Sequence, residues 1–231
     1  MSRVWTGGHS SLVLCAAISS EAMVVTGAEA GELTLWSPAG SPLSSLHLSA
    51  DVTGLCFSPA DPSLLSTCHG RAVTLLDLRS LKTPLAELRD VAEDEINGVC
   101  VDESRRTLAA GDDTGAVTLV DLQLTKATGT LRTHTNICSS VAFRLRRLQS
   151  QVSAGLDMQV RRHPGFLERS LMGLCYRRCE RHTAGAHRTG VQPSSGSLRD
   201  VCVVLRGRVC VCAAEDGGLH LLRAASTACV C

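Results

Sequence analysis

One short motif recurs three times and constrains the fold more than any other feature of this chain. It reads apolar residue, Thr, Leu, apolar residue, then Asp or Ser. Its copies are Leu33-Thr34-Leu35-Trp36-Ser37, Val73-Thr74-Leu75-Leu76-Asp77 and Val117-Thr118-Leu119-Val120-Asp121. The last residue recurs at 37, 77 and 121, a period of 40 and then 44 residues. A period of roughly 20–50 residues marks a repeat architecture, in which each unit buries its apolar face only against its neighbours.

Four short strands per unit are predicted from the alternating or continuous apolar stretches and the turn residues between them. They lie at 13–19, 23–26, 32–36 and 42–48; at 52–58, 64–67, 72–78 and 84–89; and at 96–101, 107–110, 116–122 and 127–131. A four-stranded antiparallel sheet of this size cannot cover both its faces alone. Radial stacking of several such sheets covers them, so the expected fold class is all-β, a β-propeller.

Composition narrows the function. With 44% hydrophobic and 19% charged residues in 231, the chain can build a packed core. A formal net charge of +1 gives no support to a polyanion-binding surface over the whole molecule. No run of about 18 apolar residues predicts a membrane span, and no basic-then-apolar leader precedes residue 12. Twelve cysteines could indicate a disulfide scaffold. However, Cys15, Cys56, Cys100 and Cys138 sit inside apolar runs at intervals of 41, 44 and 38 residues. Without a leader, buried reduced thiols are expected, in an intracellular protein of the cytoplasm or nucleus. Basic residues are 21 Arg against 2 Lys, a ratio no fold requires.

Gly8-His9 stands shortly before Trp36-Ser37, and His134 opens a fourth unit followed by Ser153 and Asp157. These residues resemble the Gly-His and Trp-Asp signatures of the WD-repeat propeller family. The resemblance implies that His134, Ser153 and Asp157 form a structural side-chain network tying the strands of one blade together. It also implies a non-catalytic protein-interaction scaffold. Trp36 alone holds the family's Trp position; Leu76 and Val120 replace it in the next two units.

After Val160 the pattern breaks. The chain reads Arg-Arg-His-Pro-Gly-Phe at 161–166, where an apolar-Trp-Ser ending is expected. Residues 161–199 carry eight Arg and two Glu and a linker-like Gly, Pro and Ser cluster. Repeat character returns around Asp216-Gly217. The domain reading is therefore 1–160 as blades one to four, the fourth partial; 161–199 as an irregular, mobile insertion; and 200–231 as a partial fifth blade. This describes an incomplete propeller of four to five blades, a shortened or frame-altered version of a longer protein. A closed small propeller and a truncated product with little function of its own remain alternatives.

No catalytic residue is assigned. No phosphate-binding loop with its Lys, no Gly-x-Ser-x-Gly elbow and no His-Glu-x-x-His is present. His134, Ser153 and Asp157 are the residue types of a hydrolytic triad, but the network reading is preferred. Cys175, Cys179, His182 and His187 have ligand chemistry for zinc. Only two residues separate the two pairs, so no metal and no cofactor is expected. Cys210 with Cys212 and Cys229 with Cys231 are read as packing. The Arg-rich insertion lacks interleaved aromatics, so nucleic acid is not expected as a partner.

One partner site stands out. Leu76-Asp77-Leu78-Arg79 resembles the Trp-Asp-x-Arg box with which WD-repeat substrate receptors dock the damaged-DNA-binding adaptor of cullin–RING ubiquitin ligases. Asp77 orders the strand end, and Arg79 presents a guanidinium fork that Lys would not reproduce. The expected partners are that adaptor and a client protein; the alternative is a general assembly scaffold without a ligase link.

Overall fold

A computed structural model describes residues 4–143 and 150–163, together with the backbone of three later strands. Eighteen strands are present in the described regions, grouped in five antiparallel sheets. Blade one is β1 (Val13–Ile18), β2 (Val24–Ala28), β3 (Glu32–Trp36) and β4 (Pro42–His47). Blade two is β5 (Val52–Ser58), β6 (Asp61–His69), β7 (Ala72–Asp77) and β8 (Ala86–Leu88). Blade three is β9 (Ile96–Val101), β10 (Thr107–Asp112), β11 (Ala116–Asp121) and β12 (Lys126–Arg132). Blade four shows β13 (Cys138–Phe143), β14 (Gln151–Gly155) and β15 (Gln159–His163). The last sheet holds β16 (Leu198–Val204), β17 (Val209–Ala214) and β18 (Leu219–Arg223).

Each sheet is a meander whose strands neighbour in chain order. The recurring motif forms β3, β7 and β11, the third strand of its blade. Its alternation places Leu33 and Leu35, Val73 and Leu75, and Val117 and Leu119 on one face, as the period of two requires. The turns are closed by carboxylates. Asp102 Oδ1 accepts the backbone N–H groups of Arg106 and Thr107 at 2.9 Å each, and Asp112 Oδ1 accepts those of Thr114 and Ala116 at 3.0 and 3.1 Å.

Blades stack through their first strands: β1 and β2 lie on β5, β5 and β6 on β9, β9 and β10 on β13, and β13 and β14 on β16. Val25, Leu33, Leu35, Val52, Leu65 and Leu76 fill the first seam. Val73, Ile96, Val99, Leu108, Ala110 and Val120 lie in the second. Ala109, Val117, Cys138, Val141 and Phe143 form the third. Each fully buried Leu or Val contributes about 1.5–3 kcal/mol, so the seams hold the fold together. Only 3% of the residues are aromatic; the packing is done by small aliphatic chains. At Gly98 the backbones of β9 and β13 meet so closely that a Cβ would lie 3.0 Å from Ser140 Cα.

The first strand of blade one is the exception. Its Ile18 is 67% exposed, whereas Val101 and Phe143, at the same register position in blades three and four, are 3% and 9% exposed. Nothing among the described residues covers Ile18 as a preceding blade covers the other two.

The strands expected at 52–58 and 96–101 are observed at those bounds. The greatest differences are in blade two. There β6 is longer than expected, because Asp61, Pro62 and Ser63 extend the pairing across a bulge, and β8 shrinks to three residues. β15 runs on through Arg161 and Arg162 to His163, because its pairing with β14 continues to Gln151. The four-ligand set Cys175, Cys179, His182 and His187, the bulk of the Arg-rich 161–199 segment, and Cys229 with Cys231 lie outside the described residues. Cys210 and Cys212 fall on β17, where only the backbone is described.

Candidate functional site

Each blade has a fixed set of positions behind its third strand, and the residues there differ from blade to blade. In blade one, β2 supplies Thr26, β3 supplies Trp36, and the segment before β1 supplies His9. Trp36 Nε1–H donates to Thr26 Oγ1 at 2.7 Å, and the same hydroxyl meets His9 Nε2. His9 Nδ1 faces Glu32 Oε2 at 3.2 Å. Thr34 Oγ1–H donates to the Gly8 carbonyl at 2.7 Å. A Cβ on Gly8 would sit 2.2 Å from the Trp36 ring, so glycine is required there. Trp5 packs on the same ring, with centroids 5.8 Å apart.

Glu32 is a residue that sequence reasoning missed. It accepts the Ser10 hydroxyl and the Ser10 backbone N–H (2.9 Å), and the Ser11 hydroxyl at 3.2 Å. The Ser10 bonds foremost lower its pKa to about 2. In blade four this anion is Asp157, in the turn after β14. The equivalent turn position in blade one is Ala30, and the carboxylate comes instead from the start of β3.

Blade four brings His134, Ser153 and Asp157 together. Asp157 Oδ1 meets His134 Nδ1 at 2.9 Å, and His134 Nε2 meets Ser153 Oγ at 2.8 Å. A fourth member, His163, was not foreseen. Its Nε2 lies 2.8 Å from Ser153 Oγ. His163 pairs with Gln151, two residues before Ser153, just as Trp36 pairs with Val24, two before Thr26. An imidazole therefore occupies the indole position. One proton order satisfies the set: His163 N–H to Ser153, Ser153 O–H to His134, His134 N–H to Asp157. Burial lowers the pKa of His134, against the opposing pull of Asp157.

This is the order of groups in a hydrolytic triad. However, Ser153 is fully buried and its hydroxyl is already held between two rings. The hydrogen bonds link the segment before β13 to the second and third strands of the blade.

Blades two and three have lost the network in different ways. In blade two Leu76 occupies the Trp position, and the buried Thr67 hydroxyl has no partner. His69 instead meets Thr74 Oγ1 at 2.9 Å. In blade three Ala110 and Val120 occupy the two positions, leaving no polar group to satisfy.

Asp77 and Arg79 lie at the end of β7 and in the short 3-10 turn Leu78–Ser80. Asp77 Oδ1 accepts the Arg79 backbone N–H at 2.9 Å, capping the turn. Its carboxylate also holds the guanidinium through Nε (2.9 Å) and Nη2 (2.6 Å). These bonds lower the Asp77 pKa and raise that of Arg79. The Arg79 side chain remains 72% exposed. The fork expected to point outward is thus held at its inner edge by its own blade, with the outer edge facing solvent.

Among the described residues no group of three or more His, Cys, Asp or Glu is placed to hold a metal ion, and no helix is long and apolar enough to cross a membrane. A shallow cleft of about 220 Å³ beside Gly7, Gly8, Thr34 and Ser44 has no titratable side chain in its lining.

The stacked meanders and the His–hydroxyl–ring networks define a WD40-repeat β-propeller fold, present here as a partial propeller. Among solved structures the chain superimposes on U3-55K with a TM-score of 0.76, at 17% identity over 96% of this chain and 63% of that one. It superimposes on the RRP9 WD40 repeats with a TM-score of 0.75, at 17% identity over 96% and 62%. A curated relative, Protein SLOW WALKER 1 of Arabidopsis thaliana, is 30% identical over 138 residues, which is 60% of this chain and 25% of that protein. The chain thus spans less than two thirds of each of these proteins. No family model matches it.

Proposed function

We propose that this chain is a non-catalytic scaffold for assembling protein complexes, acting inside the cell in the cytoplasm or nucleus. The observation that carries this reading is the burial of the Asp157–His134–Ser153 set. Its hydroxyl and imidazoles are engaged with one another inside the blade, which favours a structural role over a catalytic one. What the blades offer outward is turns and strand ends on rigid sheets, the surfaces on which interaction sites are built. The WD40 proteins U3-55K and RRP9 support the scaffold reading at the level of fold. Affinity capture of the tagged full chain from cells tests it. Stoichiometric protein partners are expected; recovery of the folded chain alone would overturn it.

A second reading rests on blade two. Arg79 is exposed yet fixed by Asp77, the geometry of a pre-organised docking group. The segments at 5–11, 77–82, 95–97, 134–143 and 155–160 are similar to WD repeat-containing protein 53. On this reading the chain is a substrate receptor that docks the damaged-DNA-binding adaptor of a cullin–RING ligase through Asp77 and Arg79 and carries a client elsewhere. Co-purification of the adaptor with wild type but not with Arg79→Ala is the expected result. Equal recovery with both, or no adaptor with either, leaves the general scaffold as the reading.

A further inference from the structure

None of the five cysteines with described side chains is bridged. Three of them behave as core. Cys68 and Cys138 are fully buried, and the Cys15 thiol donates to the Val52 carbonyl at 3.1 Å. Burial pushes all three thiols up to about 12. Cys56 and Cys100 differ in place and in company. They occupy the same register position on the first strands of blades two and three, opposite Ser66 and Ala109. Both are partly exposed, as Cys15 is, but among the described cysteines only their sulfurs meet, 3.9 Å apart across the seam. The Phe143 backbone N–H, from blade four, points at Cys100 Sγ at 3.4 Å. Their contact lowers the pKa of Cys56 and, with burial, raises that of Cys100. Two thiols in contact are the arrangement in which a sulfenic acid formed on one is resolved by the other.

We propose that Cys56 and Cys100 are a redox-active dithiol, which hydrogen peroxide converts into a disulfide joining the second blade to the third. The thiolate of one cysteine of the pair attacks one peroxide oxygen and the O–O bond breaks. This leaves a sulfenic acid on that cysteine and hydroxide, which takes up the thiol proton and departs as water. The sulfur of the other cysteine then attacks the sulfenic sulfur, the S–O bond breaks and a second water leaves. Two thiols and one peroxide become one disulfide and two waters, with two electrons passing from sulfur to oxygen. The sulfurs must approach from 3.9 Å to the disulfide bond length of about 2.0 Å. Reversal requires a thiol reductant.

The test uses the full chain, reduced, then exposed to stoichiometric hydrogen peroxide, alkylated, digested and mapped by mass spectrometry without reduction. A Cys56–Cys100 linked peptide is the expected dominant product among the first five cysteines, with Cys15, Cys68 and Cys138 recovered as thiols. Cys100→Ala and Cys56→Ala should each abolish the linked peptide, and the cysteine that remains in at least one of them should stop at a sulfenic acid that dimedone traps. The oxidised wild type should melt about 5 °C above the reduced protein. Recovery of Cys56 and Cys100 as separate alkylated thiols, or links scattered equally to Cys15, Cys68 and Cys138, would overturn the assignment. The wild-type map decides alone if either variant does not fold.

Discussion

Blade one and blade four solve the same problem with different side chains. Both need a hydroxyl on the second strand, a ring on the third and an imidazole held by a carboxylate. Blade one uses Thr26, Trp36, His9 and Glu32. Blade four uses Ser153, His163, His134 and Asp157. What is kept is the chain of donors and acceptors; the residue that fills each role is free to change. Blade two shows the cost of losing only part of the chain, in a Thr67 hydroxyl left unpartnered. Blade three lost all of it, and Ala110 and Val120 fill the two positions with apolar groups.

The largest effect should come from breaking blade four. Ser153→Ala leaves both His134 and His163 without their shared partner in a buried site. It should destabilise the protein by about 3 kcal/mol in urea unfolding, as the loss of a connected buried network does. A loss below about 1 kcal/mol would mean that blade four does not depend on its network.

Next comes one substitution made in two blades. Thr26→Val removes the hydroxyl that Trp36 and His9 share and should destabilise by about 2 kcal/mol. Thr67→Val removes a hydroxyl that nothing uses and should stabilise by about 1 kcal/mol. Opposite signs in paired thermal melts are the expected result, and equal signs would break the comparison.

Acid should separate the two networks as well. Burial depresses the folded pKa of His134, so its contribution is complete above the unfolded value near 6.5 and fades as pH falls through the lower folded value. Glu32 is also depressed, from 4.5 to about 2, so its contribution lasts until pH falls from about 4.5 towards 2. Blade four should therefore loosen first. Both tryptophans of the chain, Trp5 and Trp36, belong to blade one and report it by fluorescence. Far-UV circular dichroism should change at a higher pH than tryptophan emission; coincident transitions would contradict the order.

The smallest effect is at the rim. Arg79→Ala removes an exposed side chain that bonds only its own turn carboxylate, so the melting temperature should not move measurably. A clear drop would show that the turn after β7 depends on the ion pair.

How much of this was readable before the structure follows from where each signal sits. The three Thr-Leu motifs mark third strands because their alternation is short-range and strict, and the strand positions followed from it. His134, Ser153 and Asp157 were found because they fit a known pattern. Glu32 and His163 were not, for a shared physical reason. Each performs a role normally filled by another residue type, and only the pairing of β2 with β3, or of β14 with β15, brings it to its place. Nor did chain spacing settle which cysteines correspond. The intervals of 41, 44 and 38 suggest four equivalents, whereas strand register makes only Cys56 and Cys100 equivalent, because Cys15 and Cys138 fall at other register positions.

The contact at Gly98 reaches further than its own seam. Sheets that touch backbone to backbone at their inner edge and stand apart at their outer edge form a wedge, and the thickness of that inner edge sets the angle from one sheet to the next. A methyl group at Gly98 would thicken the edge beside Ser140 and flatten the turn. A change of angle at one seam is carried to every later sheet, so a single carbon atom there would be felt in the placement of the blades that follow.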